Sequence, residues 1–73
     1  MKLSKAFNDF NKQNRVVERV VINPEDLDEV GPDKSYNTGK YYKWTAEVVL
    51  DKEMPRGSFE LVSIYPNELK QRF

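Results

Sequence analysis

Residues 41–50 read YYKWTAEVVL, and every second residue from Tyr42 to Leu50 is apolar. Successive side chains of a strand point to opposite faces of a sheet, so a period of two is typical of a strand with one buried face. The apolar positions are Tyr42, Trp44, Ala46, Val48 and Leu50. We therefore predict a single strand over 41–50, with Tyr42 and Trp44 in the core and with Tyr41 and Lys43 on the outer face.

The N-terminal part of the chain carries two further patterns. Apolar residues recur at helical spacing and predict an amphipathic helix over residues 3–13; they are Leu3, Ala6, Phe7 and Phe10. Residues 15–22 read RVVERVVI, and five β-branched residues in eight favour a strand. A heptad spacing through Asn14 leaves an alternative open, in which one helix continues from 3 to 22 and forms a coiled coil.

Turn signals separate the remaining elements. Asn23-Pro24 followed by acidic residues is typical of a helix start, so we expect an acidic loop or short helix over 23–35. A strand is predicted over 58–65, and residues 67–73 are expected to form a last helical turn. Residues 1–73 are thus expected to be one small α+β domain. Its architecture would be a three-stranded or four-stranded antiparallel sheet with the N-terminal helix packed on one face.

The composition narrows the classes of function. The 73 residues contain 12 basic and 12 acidic side chains, no histidine and no cysteine. Without those two residue types, the chain has neither the usual zinc ligands nor the usual base for an activated nucleophile. We therefore expect no enzyme activity, no cofactor and no metal site. The longest apolar run is too short to span a bilayer, so we expect a cytoplasmic protein with no membrane partner.

Surplus apolar residues on the predicted strands indicate a protein-binding surface. If the helix covers one face of the sheet, Val62 and Ile64 lie on the other, where an exposed apolar patch is typical of a partner or oligomer surface. Alternatively, residues 23–35 fold over that face and bury it through Leu27 and Val30. The candidate contact residues are Val62, Ile64, Tyr36, Tyr41, Glu25, Asp26, Asp28 and Glu29.

The first functional hypothesis is accordingly a non-catalytic accessory or inhibitor module, of the kind that phages and mobile elements encode. Such a module acts by occupying the surface of a partner protein, and the partner is either a different protein or a second copy in a homodimer.

The segment 34–44 supports a second hypothesis. Aromatic side chains interleaved with lysines can stack on bases and pair with phosphates, which is how single-stranded nucleic acid is commonly bound. The candidate residues are Tyr36, Lys40, Tyr41 and Lys43. Because the chain has no net charge, it exerts no long-range attraction on phosphate, and we rank the nucleic-acid hypothesis second.

Overall fold

The computed structural model describes all residues from Met1 to Phe73. Six strands form one mixed sheet, and two helices and a short 3-10 turn complete the fold. The elements, in chain order, are α1 (Leu3–Lys12), β1 (Val17–Ile22), the 3-10 turn (Pro24–Asp26), α2 (Leu27–Val30), β2 (Asp33–Lys34), β3 (Tyr41–Lys43), β4 (Ala46–Leu50), β5 (Phe59–Ser63) and β6 (Leu69–Arg72). Neither helix has the length and apolar character needed to cross a bilayer.

The strands are ordered β2-β3-β4-β1-β5-β6 across the sheet. β1 and β4 lie side by side in the centre and run parallel, whereas every other neighbouring pair is antiparallel. Parallel neighbours need a crossover connection, and the chain makes it through α2 and the β2–β3 hairpin. The α+β class predicted from the sequence is therefore correct, but the prediction of three or four antiparallel strands is wrong.

The C-terminal residues add a strand where the sequence predicts a helical turn. Leu69 pairs with Ser63 and Arg72 with Glu60, so β6 forms one edge of the sheet. The LKQR sequence of this strand has no β-branched or aromatic residue, and backbone pairing with β5 decides its conformation. Residues 33–34 form the opposite edge, β2, which is only two residues long.

A two-residue turn at positions 44–45 divides the predicted strand 41–50 into a hairpin of β3 and β4, with Lys43 paired to Ala46 across the turn. Trp44 has a left-handed φ of 53°, a conformation that turns normally reserve for Gly, Asn or Asp. None of those residue types stands at 44–45, so the sequence gives no sign of a turn there. The alternation of apolar side chains therefore predicts an unbroken strand.

The turn reverses which side chains of β3 face the core. Directly opposed residues of antiparallel strands share a face, so Tyr41 lies on the face of Val48 and Tyr42 on the opposite one. Val48 belongs to the core cluster, and Tyr41 packs against it. The prediction that Tyr42 and Trp44 are core residues is therefore wrong, and so is the outward placement of Tyr41 and Lys43.

One cluster of twelve buried apolar residues joins α1 to the sheet. The residues from α1 are those whose spacing predicted it: Leu3, Ala6, Phe7 and Phe10. The helix ends at Lys12, and Asn14 adopts a left-handed φ of 59° that turns the chain towards β1. The continuous helix from 3 to 22 is therefore wrong, whereas the strand interpretation of 15–22 is correct for Val17–Ile22.

The acidic segment 23–35 packs on the same side of the sheet as α1. Val30 belongs to the core cluster, and Leu27 packs against it. The alternative in which this segment covers the second face is therefore wrong. Val21 and Val49, which lie on that second face, remain partly exposed.

Buried polar side chains tie the acidic segment to the loop between β4 and β5. The carboxylate of Asp26, 2% exposed, accepts hydrogen bonds from the Gly57 N–H at 2.7 Å and from Arg56 Nε at 3.5 Å. Asn23 Nδ2 donates to the Met54 carbonyl at 2.8 Å. Gly57 has a φ of 80°, which glycine adopts without strain. Asp26 therefore stabilises the fold. Its side chain is buried, whereas the predicted contact with a partner needs an exposed one.

Replacing Asp26 with alanine removes both hydrogen bonds and leaves the Gly57 N–H without its acceptor. We expect the free energy of unfolding to fall by about 2–3 kcal/mol. The control is Asp28→Ala, which removes an equal but exposed charge from the same segment and should change stability by less than about 0.5 kcal/mol. Urea denaturation followed by circular dichroism measures both, and coincident midpoints for the two variants would contradict this role of Asp26.

Candidate functional site

Large apolar side chains are exposed together at one end of the sheet, where β1 and β4 begin and β5 ends. Val17 pairs with Ser63, and β1 runs parallel to β4, so the residues flanking these strands come to the same end. Four of these residues are each more than half exposed and are called the end cluster below: Val16, Trp44, Ile64 and Tyr65. Large exposed apolar side chains gathered at one place are typical of an interaction site.

A cleft of about 360 Å³ opens beside α1 within this end of the molecule. Val16 and Trp44 line it together with Phe7, so its apolar wall joins the end cluster to the core. The remaining wall carries hydroxyl and amide side chains, from Ser4, Asn8, Asn11 and Thr45. No ionised side chain lines the cleft, so it is suited to an apolar group flanked by uncharged hydrogen-bonding groups.

Trp44 is held in place although it is 55% exposed. Its ring meets the ring of Phe7 edge-on, with the two centroids 4.8 Å apart, and Lys43 Nζ lies 5.1 Å from its centroid. Both contacts stabilise an aromatic ring, the first by the favoured T-shaped geometry and the second by a cation–π interaction. The indole of Trp44 is therefore half-exposed and held by its neighbours, so Trp44 is not a core residue.

The loop that carries Ile64 and Tyr65 is tied at both of its ends. Arg15 donates from Nη1 to the carbonyl oxygen of Asn67 and from Nη2 to Oδ1 of the same residue, each at 3.0 Å. Ser63, which is fully buried, donates from Oγ to the carbonyl of Tyr65 at 3.0 Å. These hydrogen bonds restrict the conformations open to the loop.

The structure distributes the contact residues proposed from the sequence over several surfaces. Ile64 belongs to the end cluster, but Val62 is 2% exposed and lies beneath its neighbours on the face opposite α1. Tyr41 is half-buried against the core. The acidic residues other than Asp26 are exposed on the segment that precedes β2, namely Glu25, Asp28 and Glu29.

The residues of the nucleic-acid hypothesis do not share one face. Tyr36 is fully exposed in the turn between β2 and β3. Tyr41 and Lys43 lie on the side of the sheet that bears α1, whereas Lys40 Nζ approaches Glu47 Oε1 at 4.0 Å on the other side. Lys34 Nζ, which was not among the predicted residues, lies 5.9 Å from the Tyr41 ring centroid.

Sequence reasoning misses three members of the end cluster: Val16, Trp44 and Tyr65. It assigns Val16 to the predicted strand 15–22, Trp44 to the core because of the alternation, and Tyr65 to the end of a strand. What brings them together is the meeting of β1, β4 and β5 at one end of the sheet. This follows from the parallel pairing of β1 with β4, which no pattern in the sequence indicates.

Comparison of the chain with protein-family models, with curated proteins and with solved structures finds no match. The geometry of this fold is therefore the basis for proposing a function.

Trp44 is the single tryptophan of the chain, so its fluorescence reports on the end cluster alone. We expect acrylamide to quench the folded protein to an extent between that of a buried indole and that of the urea-unfolded chain, because one part of the ring packs on Phe7. A Phe7→Leu variant, which removes the edge contact, should increase quenching. Quenching as weak as that of a fully buried tryptophan would contradict the placement of Trp44.

Proposed function

We propose that this protein is a non-catalytic binding module that docks on another protein through the end cluster. The observation that carries this proposal is that Val16, Trp44, Ile64 and Tyr65, each more than half exposed, flank strands that meet at one end of the sheet. Tryptophan and tyrosine are the residue types that most often dominate binding energy in protein interfaces. An aromatic anchor with aliphatic neighbours is the composition expected at the centre of such an interface.

The cleft beside α1 supports a defined contact. Its apolar wall can receive one side chain of a partner, while Asn8 and Asn11 offer amide groups to the backbone around that side chain. The bonds from Arg15 to Asn67 and from Ser63 to Tyr65 hold the neighbouring loop in advance. A site of this kind combines a buried anchor with polar positioning groups, as protein interfaces do.

We further propose that the module acts as an accessory or inhibitor protein. A domain of 73 residues can cover a partner's surface by occupancy, and this mode of action needs no chemistry of its own. The end cluster is formed from the ends of strands in a rigid sheet, which favours docking as a preformed body over folding on binding.

A second candidate function is binding of single-stranded nucleic acid through the β2–β3 hairpin. The observation that favours it is Tyr36, whose side chain is fully exposed and has Lys34 and Gly39 beside it in the same surface depression. Residues 34–46 carry three lysines and no acidic residue, which gives the hairpin a local positive charge. Stacking on one exposed aromatic ring with lysines nearby is a known mode of binding single strands.

The proposed docking site is tested by affinity capture from a lysate of the source organism, followed by titration of the captured protein. We expect Ile64→Lys and Trp44→Ala each to weaken binding at least about tenfold, since both remove an anchor and the first adds a charge to an apolar contact. The control is Tyr36→Ala, which removes an exposed aromatic side chain from a different surface and should leave the affinity unchanged. Equal affinities for all four proteins would contradict docking through the end cluster.

An oligonucleotide titration tests the second candidate. If the hairpin binds single strands, the protein should bind saturably at low salt, the affinity should fall steeply as salt increases, and Tyr36→Ala should weaken it. Ile64→Ala is the matched control here, because it also truncates one exposed side chain without changing the net charge and removes no contact from the hairpin. Absence of binding at low salt would end the nucleic-acid hypothesis.

A further inference from the structure

The face of the sheet opposite α1, called the open face below, carries a row of six residues, one from each strand. The pairing registers place them directly beside one another. From β2 to β6 across the sheet, they are Asp33, Tyr42, Glu47, Arg19, Val62 and Lys70. The four inner members are buried or half-buried by their neighbours, although no helix packs on them.

The charges of this row are divided between its two halves. The half formed by β2, β3 and β4 reads acidic, aromatic, acidic, and the half formed by β1, β5 and β6 reads basic, aliphatic, basic. The six residues come from six separate segments of the chain, so this order exists only in the folded sheet.

The neighbouring row on the open face carries charges on both sides of an apolar centre. Val49 and Val21 pair in its centre, and Glu60 and Arg72 follow on β5 and β6. On the other side, Lys40 precedes β3 and reaches Glu47 Oε1 at 4.0 Å, which places it on this face. The row is therefore basic on the β3 side, apolar in the centre, acidic on β5 and basic again at Arg72 on β6.

A two-fold axis parallel to the strands, passing between β4 and β1, makes this face complementary to a second copy of itself. Such an axis places β4 over β1 of the other copy, β3 over β5 and β2 over β6. Opposite charges then face each other in three pairs: Glu47 with Arg19, Asp33 with Lys70, and Lys40 with Glu60. Apolar residues face each other in two more: Tyr42 with Val62, and Val49 with Val21.

The alternative face-to-face axis, perpendicular to the strands, would place each strand over its own copy and would bring like charges together. The charge pattern therefore selects one orientation, in which the strands of the two sheets run in nearly the same direction.

We propose that two copies of this protein form a homodimer through their open faces about the axis parallel to the strands. Six strands of two to six residues, about 4.8 Å apart and rising about 3.3 Å per residue, give a face of about 400 Å². Two such faces bury about 800 Å² in total, which is in the range of weak, transient interfaces, so we expect a reversible dimer.

This dimer would present both end clusters in the same direction, because an axis parallel to the strands leaves their direction unchanged. Two equivalent docking sites at one end of a dimer can engage a two-fold symmetric partner with increased avidity. The open face and the end cluster are separate surfaces, so the dimer does not depend on the proposed function and can fail or hold without it.

Analytical ultracentrifugation over about 1–500 µM tests the proposal. We expect the wild type to pass from monomer to dimer within this range, and Glu47→Arg and Arg19→Glu each to weaken the dimer at least about tenfold. Mixing the two variants in equal amounts should restore the affinity. In the mixed dimer, the new arginine at position 47 of one copy faces the new glutamate at position 19 of the other, and the second pair of these positions keeps its native residues. Glu53→Arg, with the same change of charge in the exposed β4–β5 loop, is the control and should dimerise as the wild type does.

Three outcomes would overturn the homodimer. The wild type could remain monomeric throughout, which would leave the open face to a different partner. A dimer could form but be insensitive to both charge reversals, which would place the interface elsewhere. The mixture could fail to dimerise although circular dichroism shows both variants folded, which would show that Glu47 and Arg19 do not face each other between copies.

Discussion

The two-residue turn between β3 and β4 is the constraint on which both candidate surfaces depend. It places Trp44 at the end of the sheet with a left-handed backbone, where the indole packs on Phe7 and stays half-open. It also reverses the alternation of β3, so that Tyr41 faces the core and Tyr42 faces the open side. A continuous strand over 41–50 would have buried the tryptophan and exchanged those two tyrosines.

The rest of the fold follows from the need to bury one sheet face in a small domain. α1 and the acidic segment both pack on that face, the latter through Val30, and Asp26 of this segment accepts hydrogen bonds from Arg56 and Gly57. No helix is left for the second face, where Val62 is buried by its neighbours and the half-buried and charged side chains around it remain in contact with water. The charge pairs across its neighbouring strands are exposed or half-buried, and pairs of this kind contribute little stability on their own.

The two proposed surfaces differ in what recognises them. The end cluster is apolar, with a cleft lined by uncharged groups, and favours an anchor side chain of another protein. The open face is patterned in charge and favours a surface with the inverse pattern, which a second copy supplies. The end cluster lies at one end of the sheet and the open face on one of its sides, so the two surfaces are distinct.

Helical spacing determined α1, β-branched residues favoured β1 over a continued helix, and the strand predicted over 58–65 contains β5. Together these predictions were sufficient for the α+β class. Only the tertiary structure decided the remainder. β6 and β2 have no side-chain signal and form by pairing with a neighbour, and the turn at Trp44 lacks the residue types that usually mark one. The end cluster and the charge rows of the open face join residues far apart in the chain, and the strand order that brings them together is set by long-range backbone hydrogen bonds that no local pattern encodes.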